Sequence, residues 1–191
     1  MYETPLVDVN YGLRTGVQLK LELPWRILDE PLIGSRSGVG SLNMGVKWRL
    51  HEGAQDGLAI STYPALAIGD ADSFLRKVNA AELFLPIQVS RSWGSFGLNA
   101  EGGYRLVKGG SDEIVFGLAA SRGAGTKLEL LSECQGTTAN GFKGLTLLCQ
   151  LGARRPLGPH LNFLGAIGAS PIGPPEDRTT LHLYLGIQSH W

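Results

Sequence analysis

The sequence contains no run of about 18 apolar residues, which excludes a transmembrane helix. It does not exclude a membrane, because barrel strands cross with only about 9 to 11 alternating residues. Net charge is also missing: Lys plus Arg count 17 and Asp plus Glu count 17, so nothing offers the electrostatic footprint that nucleic acid requires. Nucleic acid is therefore not an expected partner. The opening MYETPLVDVNYGL lacks a basic stretch followed by an apolar core, so no signal peptide is visible. Helical periodicity is absent as well, and 27 glycines lie scattered through the chain, about twice the usual fraction of roughly 7%. That density argues against long helices and against a disordered tail.

Cysteine is scarce, with Cys134 and Cys149 alone. A turn centred near 136–141 would set Cys134 opposite a residue near Lys143, several positions short of Cys149. At about 3.3 Å per residue the offset exceeds the roughly 7 Å limit on Cα separation in a disulfide. The expectation is two free thiols on a lipid-facing or buried strand. No cluster has zinc spacing, and the glycine-rich pieces SGVG and KGG lack the strand, loop and helix of a phosphate site. No metal and no cofactor is expected.

What the chain does have is alternation. In Ser41 to Leu50 the residues Leu42, Met44, Val46, Trp48 and Leu50 take one parity, and Ser41, Asn43, Gly45, Lys47 and Arg49 the other. A helix would scatter them around its whole circumference, so a strand is predicted. The same reading gives strands at Pro5 to Gly12, Val17 to Leu23, Leu58 to Ile68, Glu82 to Ser90, Phe96 to Leu106 and Glu113 to Ser121. It continues with Lys127 to Glu133, Leu145 to Ala153, Leu161 to Ala169 and a last strand in Arg178 to Trp191. Between Val17 to Leu23 and Ser41 to Leu50, Trp25 to Gly40 reads as a long irregular connection, and QGTTANG and RRPLGP read as turns.

The predicted fold class is all-β, an antiparallel up-and-down transmembrane β-barrel of eleven visible strands in one domain, residues 1–191. Connections near 13–16, 51–57, 92–94, 122–125 and 154–159 are mostly short, and the intervening ones mostly longer and more polar. Outer-membrane barrels sort their turns this way, short ones on the periplasmic side. The sorting sets Trp48, Trp93 and Trp191 near the periplasmic rim and Trp25 near the opposite one, as an aromatic girdle requires. It also starts the first strand on the outer side, so a signal peptide and one upstream strand are expected to precede it, restoring an even count of twelve.

Four stretches carry a resemblance: ETPLVDVNYGL at Glu3 to Leu13, VQLKLELPW at Val17 to Trp25, GVGSLNMGVKWR at Gly38 to Arg49 and AISTYPAL at Ala59 to Leu66. With them the chain resembles the outer-membrane β-barrel family named for the MetA pathway of phenol degradation, loosely described as transporters. The resemblance implies the bacterial outer membrane and a small, hydrophobic or aromatic cargo, and brings no catalytic or ligand residues. The last strand is similar to the signal read by the barrel-assembly machinery: Tyr184, Gly186 and Trp191 fit it and Ser189 does not. Outer-membrane lipid and that machinery are the expected partners.

The polar parity collects Gln18, Lys20, Glu22, Lys47, Arg49, Glu82, Gln88, Asn99, Glu101, Arg105, His182, Tyr184 and Gln188. An Arg or Lys facing lipid at mid-depth costs about 2 to 4 kcal/mol, so these residues are expected to line the lumen. An enzyme would need a positioned nucleophile and base. His51 and His160 fall in turns, His190 at the rim, and His182 has no Ser and carboxylate that spacing can assign to it. The expectation is a passive pore or transporter for small molecules and not an enzyme. A structural barrel with a plugged lumen, and a soluble ligand-binding barrel with its apolar face inside, remain open alternatives.

Overall fold

Val7, Val9, Leu19 and Leu21 alternate with Asp8, Asn10, Lys20 and Glu22, and such a period gives a strand two unlike faces. In the computed structural model these residues pair across β1 (Tyr2–Arg14) and β2 (Val17–Glu30), with Val9 opposite Leu21 and Asn10 opposite Lys20. The structure describes residues 2–30, 34–53, 57–69, 80–125, 127–140, 143–173 and 181–190. The chain continues through β3 (Gly34–Val39), β4 (Leu42–Glu52), β5 (Leu58–Thr62), β6 (Ala65–Gly69) and β7 (Ala80–Trp93). Then follow β8 (Phe96–Val107), β9 (Glu113–Gly123), β10 (Glu129–Ala139), β11 (Lys143–Gly158), β12 (Leu161–Ile172) and β13 (His182–Ser189).

All thirteen strands join one sheet in meander order. β3 and β4 both pair with β2 and form one wall strand interrupted at Gly40 and Ser41. β5 and β6 both lie between β4 and β7, interrupted at Tyr63 and Pro64. Pro64 has no N–H to give, but its carbonyl accepts from Val46 N at 3.0 Å and carries the ladder across the break. The path β1-β2-β4-β5-β7-β8-β9-β10-β11-β12-β13 therefore has eleven wall strands, as the alternation predicts. Among the described residues β1 and β13 each pair on one side alone. With an odd number of antiparallel strands, those two run in the same direction.

A flat sheet would expose both faces alike. Here Leu85, Ile87 and Val89 on one parity of β7 are 45%, 50% and 40% exposed, while Pro86 between them is fully buried. The sheet is curled, with the apolar side chains outward and the polar ones on the covered inner face. Besides Pro24 and Pro86, Ala65 and Val115 are the buried apolar side chains among the described residues, so no hydrophobic core fills the interior. The alternative of a soluble barrel with an apolar inside is therefore corrected: the faces are the other way round.

Turns close the ladder at two residues where a left-handed backbone permits it. Gly16 and Gly94, in the β1–β2 and β7–β8 turns, have φ of 78° and 58°, which side chains with a Cβ adopt rarely. On the same end, Pro159 and His160 join β11 to β12. At the other end the connection 108–112 is longer. Trp48, opposite Val17, and Trp93, opposite Phe96, stand outward at the short-turn end, and Trp25, opposite Val39, outward at the other. Trp191 lies outside the described residues.

Three expected connections are strands. Residues 25–30 pair with 34–39, so most of the supposed irregular connection is a hairpin extending β2. Pro24 misleads the reading: it interrupts the ladder only locally, and its carbonyl accepts from Gly40 N at 2.8 Å. Most of RRPLGP belongs to β11, where Pro156 faces Asn162 next to a register shift that tolerates its missing donor. Most of QGTTANG belongs to β10, which runs to Ala139 with β11 starting at Lys143, so the reversal is not centred near 138. That displacement puts Cys134 directly opposite Cys149, with Cα atoms 4.1 Å apart, and the two form a disulfide. The expected free thiols are thus corrected, because threonine and glycine in a paired strand were read as turn residues.

Sidedness is tested by one pair of substitutions. Leu185 on β13 is 77% exposed on the apolar face, and Gln188 has the opposite parity. Leu185→Arg should cost about 2 to 4 kcal/mol in lipid and abolish the folded, heat-modifiable band on an unboiled gel. Gln188→Arg should retain it; the reverse ranking would mean the faces are inverted.

Candidate functional site: the polar inner face

Register builds the inner face from directly opposed residues. On β1 and β2, Asp8 stands opposite Glu22, two carboxylates that would repel each other if left alone. Lys20 resolves this by pairing with both, at 3.6 Å from Asp8 and in close contact with Glu22. Asn43 Nδ2 donates to Glu22 at 2.9 Å from the next strand, and the Tyr63 ring lies 5.8 Å from the Lys20 ammonium. Gly45 makes room for that ring: a Cβ there would lie 2.6 Å from it.

Arg105 on β8 centres a second network. It stands opposite Phe84 on one side and Glu113 on the other, donates to Glu113 at 2.8 Å and lies 3.7 Å from Glu82. Its guanidinium sits 5.6 Å from the Phe84 ring centre. Nearer the short turns, Gln88 donates to Glu101, directly opposite it, and accepts from Ser61 Oγ at 3.3 Å. Gln150 donates to its opposite residue Glu133 at 3.2 Å, and Arg154 pairs with its opposite residue Glu129 at 2.5 Å.

Of the expected lumen residues, Lys20, Glu22, Glu82, Gln88, Glu101 and Arg105 are thus brought into networks. Arg49 instead pairs at the turn end with the exposed Glu52, at 2.8 Å. Lys47 lies opposite Gln18, with no ion pair among the described residues. Asn99 lies between Ser90 and Ala119, Tyr184 opposite Ala166 and Gln188 opposite Asn162. His182 lies opposite Gly168, and its Nδ1 is buried without a hydrogen-bond partner. Among the described residues, no group of three or more His, Cys, Asp or Glu is arranged to hold a metal ion.

Sequence reasoning passed over Asp8, Asn43, Tyr63, Glu113, Glu129, Glu133, Gln150 and Arg154. Asp8 between Val7 and Val9, and Asn43 between Leu42 and Met44, carried a usable signal. Glu129 and Glu133 did not, since adjacent Leu130 and Leu131 blur the parity of β10. Tyr63 sits at the break between β5 and β6, where alternation cannot place it.

An all-β meander of antiparallel strands with a polar inside and an apolar outside is the fold of an outer-membrane β-barrel, and the bacterial outer membrane is where that fold resides. The solved structures it resembles include the anion-selective porin from Comamonas acidovorans, with 14% identity and a TM-score of 0.50 over 96% of this chain and 55% of that one. They also include a loop L8 deletion mutant of OmpT, an outer membrane protein of Vibrio cholerae, with 14% identity and a TM-score of 0.52 over 97% and 62%. The chain spans 55% and 62% of the length of these two barrels. No protein-family model and no curated protein matches it.

The expectation that the chain is not an enzyme is corrected by the same comparison. OmpT stands beside a porin among the barrels it resembles, and likeness at 14% identity shows the fold alone. This fold gives no ground for excluding catalysis.

Arg105→Gln would strip the cation from two carboxylates. The barrel should lose about 1 to 2 kcal/mol of stability, read as a lower urea midpoint for unfolding from vesicles. An unchanged midpoint would mean that Glu82 and Glu113 are not held through Arg105.

Proposed function

We propose that the chain forms the wall of an outer-membrane pore or transporter for small molecules, akin to the barrels named for the MetA pathway of phenol degradation. One observation carries the reading: the inner face is divided. Long polar and charged side chains crowd it from β1 to β8 and recur at Glu133, Gln150 and Arg154 on β10 and β11, whereas Gly117, Ala119 and Ser121 on β9, Gly152 on β11, and Ala166 and Gly168 on β12 present little bulk beside them. A passage follows that small-residue side, with Glu101 and Glu133 bordering it on the strands flanking β9. The porin among the structural neighbours supports the same reading. Outer-membrane lipid meets the outward Leu, Val and Ile side chains, and the last strand engages the barrel-assembly machinery during insertion.

The directly opposed pairs Gln88–Glu101, Gln150–Glu133 and Arg154–Glu129 favour a second reading, in which side chains bridge the wall and the lumen is closed. Conductance separates the two. In a planar bilayer the protein should open steady channels. Glu101→Gln should move the reversal potential toward anions and Arg105→Gln toward cations, because each removes one fixed charge from the lumen. Absence of conductance would reject the pore in favour of the closed barrel.

A further inference from the structure

Cys134 is the midpoint of β10, five residues from Glu129 and five from Ala139. Its parity is that of Leu130, on the outward face, and its neighbour across β9 is Leu118, 53% exposed. Cys149 has the parity of Leu151, 65% exposed, and stands opposite Ala169 on β12. The bridge between them therefore faces the hydrocarbon near half the height of the wall, about 16 Å along the strand from either end of β10. The hydrocarbon core is roughly 30 Å thick.

That position constrains when the bond can form. Disulfide exchange proceeds through a thiolate, an anion that is penalised at mid-bilayer, and the oxidant must reach both sulfurs from water. We propose that Cys134 and Cys149 are joined in the oxidising periplasm by a disulfide-carrying protein oxidant before the β10–β11 hairpin enters lipid. One cysteine thiolate attacks the oxidant's disulfide and forms a mixed disulfide. The second thiolate then displaces the oxidant, which leaves as a dithiol carrying the two electrons, its two sulfurs taking up through solvent the two protons that the cysteines released. The bond holds a register that side-chain pattern specifies weakly, since Gln135 to Thr138 offer no apolar alternation and a one-residue slip would exchange the faces of the hairpin. Once inserted, the bridge is shielded from soluble reductant. This inference does not depend on whether the barrel conducts.

The test uses the full chain in outer-membrane vesicles. Maleimide-polyethylene glycol added under denaturing conditions without reductant should give no mass shift. Treating intact vesicles with a water-soluble phosphine before denaturation should still give none, whereas phosphine after denaturation should give the shift of two thiols. Free thiols in the untreated protein, or reduction in intact vesicles, would overturn the proposal. A Cys134→Ala/Cys149→Ala variant keeps small apolar side chains without the bond. Its rate of assembly into lipid vesicles should fall several-fold below that of the oxidised chain; equal rates would overturn the register-holding role.

Discussion

Everything in this structure depends on the backbone amide. In hydrocarbon an unpaired N–H or C=O costs several kcal/mol, so a chain without an apolar helix can cross only as a sheet whose ladders continue from strand to strand. Between its two end strands the unbroken path from β1 to β13 meets that demand, even where Pro24 and Pro64 withhold a donor and their carbonyls serve instead. Once the ladders are complete, alternation does the rest. Each strand offers lipid one face and the interior the other, and curling decides which face is covered.

The same period explains what could be read from residues alone. Ser41 to Leu50, Glu82 to Ser90 and Phe96 to Leu106 alternate cleanly, and their strands and faces emerge as the pattern says. Reading failed where residue type stood in for pairing. Pro24, Pro156 and the Gly-Thr-Thr of QGTTANG are common in turns, yet lie in strands because neighbouring strands claim the backbone. An error of a few residues in one turn then became an error in chemistry, placing two cysteines out of reach that are directly opposed. Half of the inner-face networks could be anticipated, since a parity names a face. Their partners could not, because Arg105 meets Glu113, and Gln150 meets Glu133, only through register between strands.

In the proposed pore the same inner-face groups serve structure and passage. Lys20 holds two opposed carboxylates, and Arg105 holds Glu82 and Glu113, so much of the charge from β1 to β9 is neutralised within the wall. Glu101 and Glu133 are held by amides instead of cations, beside the small side chains of β9. Carboxylates held by amides beside small side chains are the groups that would tune the proposed pore. The 14% likeness to a porin and to OmpT concerns the wall, which these barrels share whatever their lumens do.

The central claim is that one parity of each strand meets lipid and the other the barrel interior. A spin-label scan along β7, from Glu82 to Ser90 in vesicles, tests it most directly. Oxygen accessibility should peak at Leu83, Leu85, Ile87 and Val89, and accessibility to a water-soluble nickel chelate should rise, if anywhere, at the residues between them. Oxygen peaks at Glu82, Phe84, Pro86 and Gln88 instead, or no alternation at all, would contradict the account.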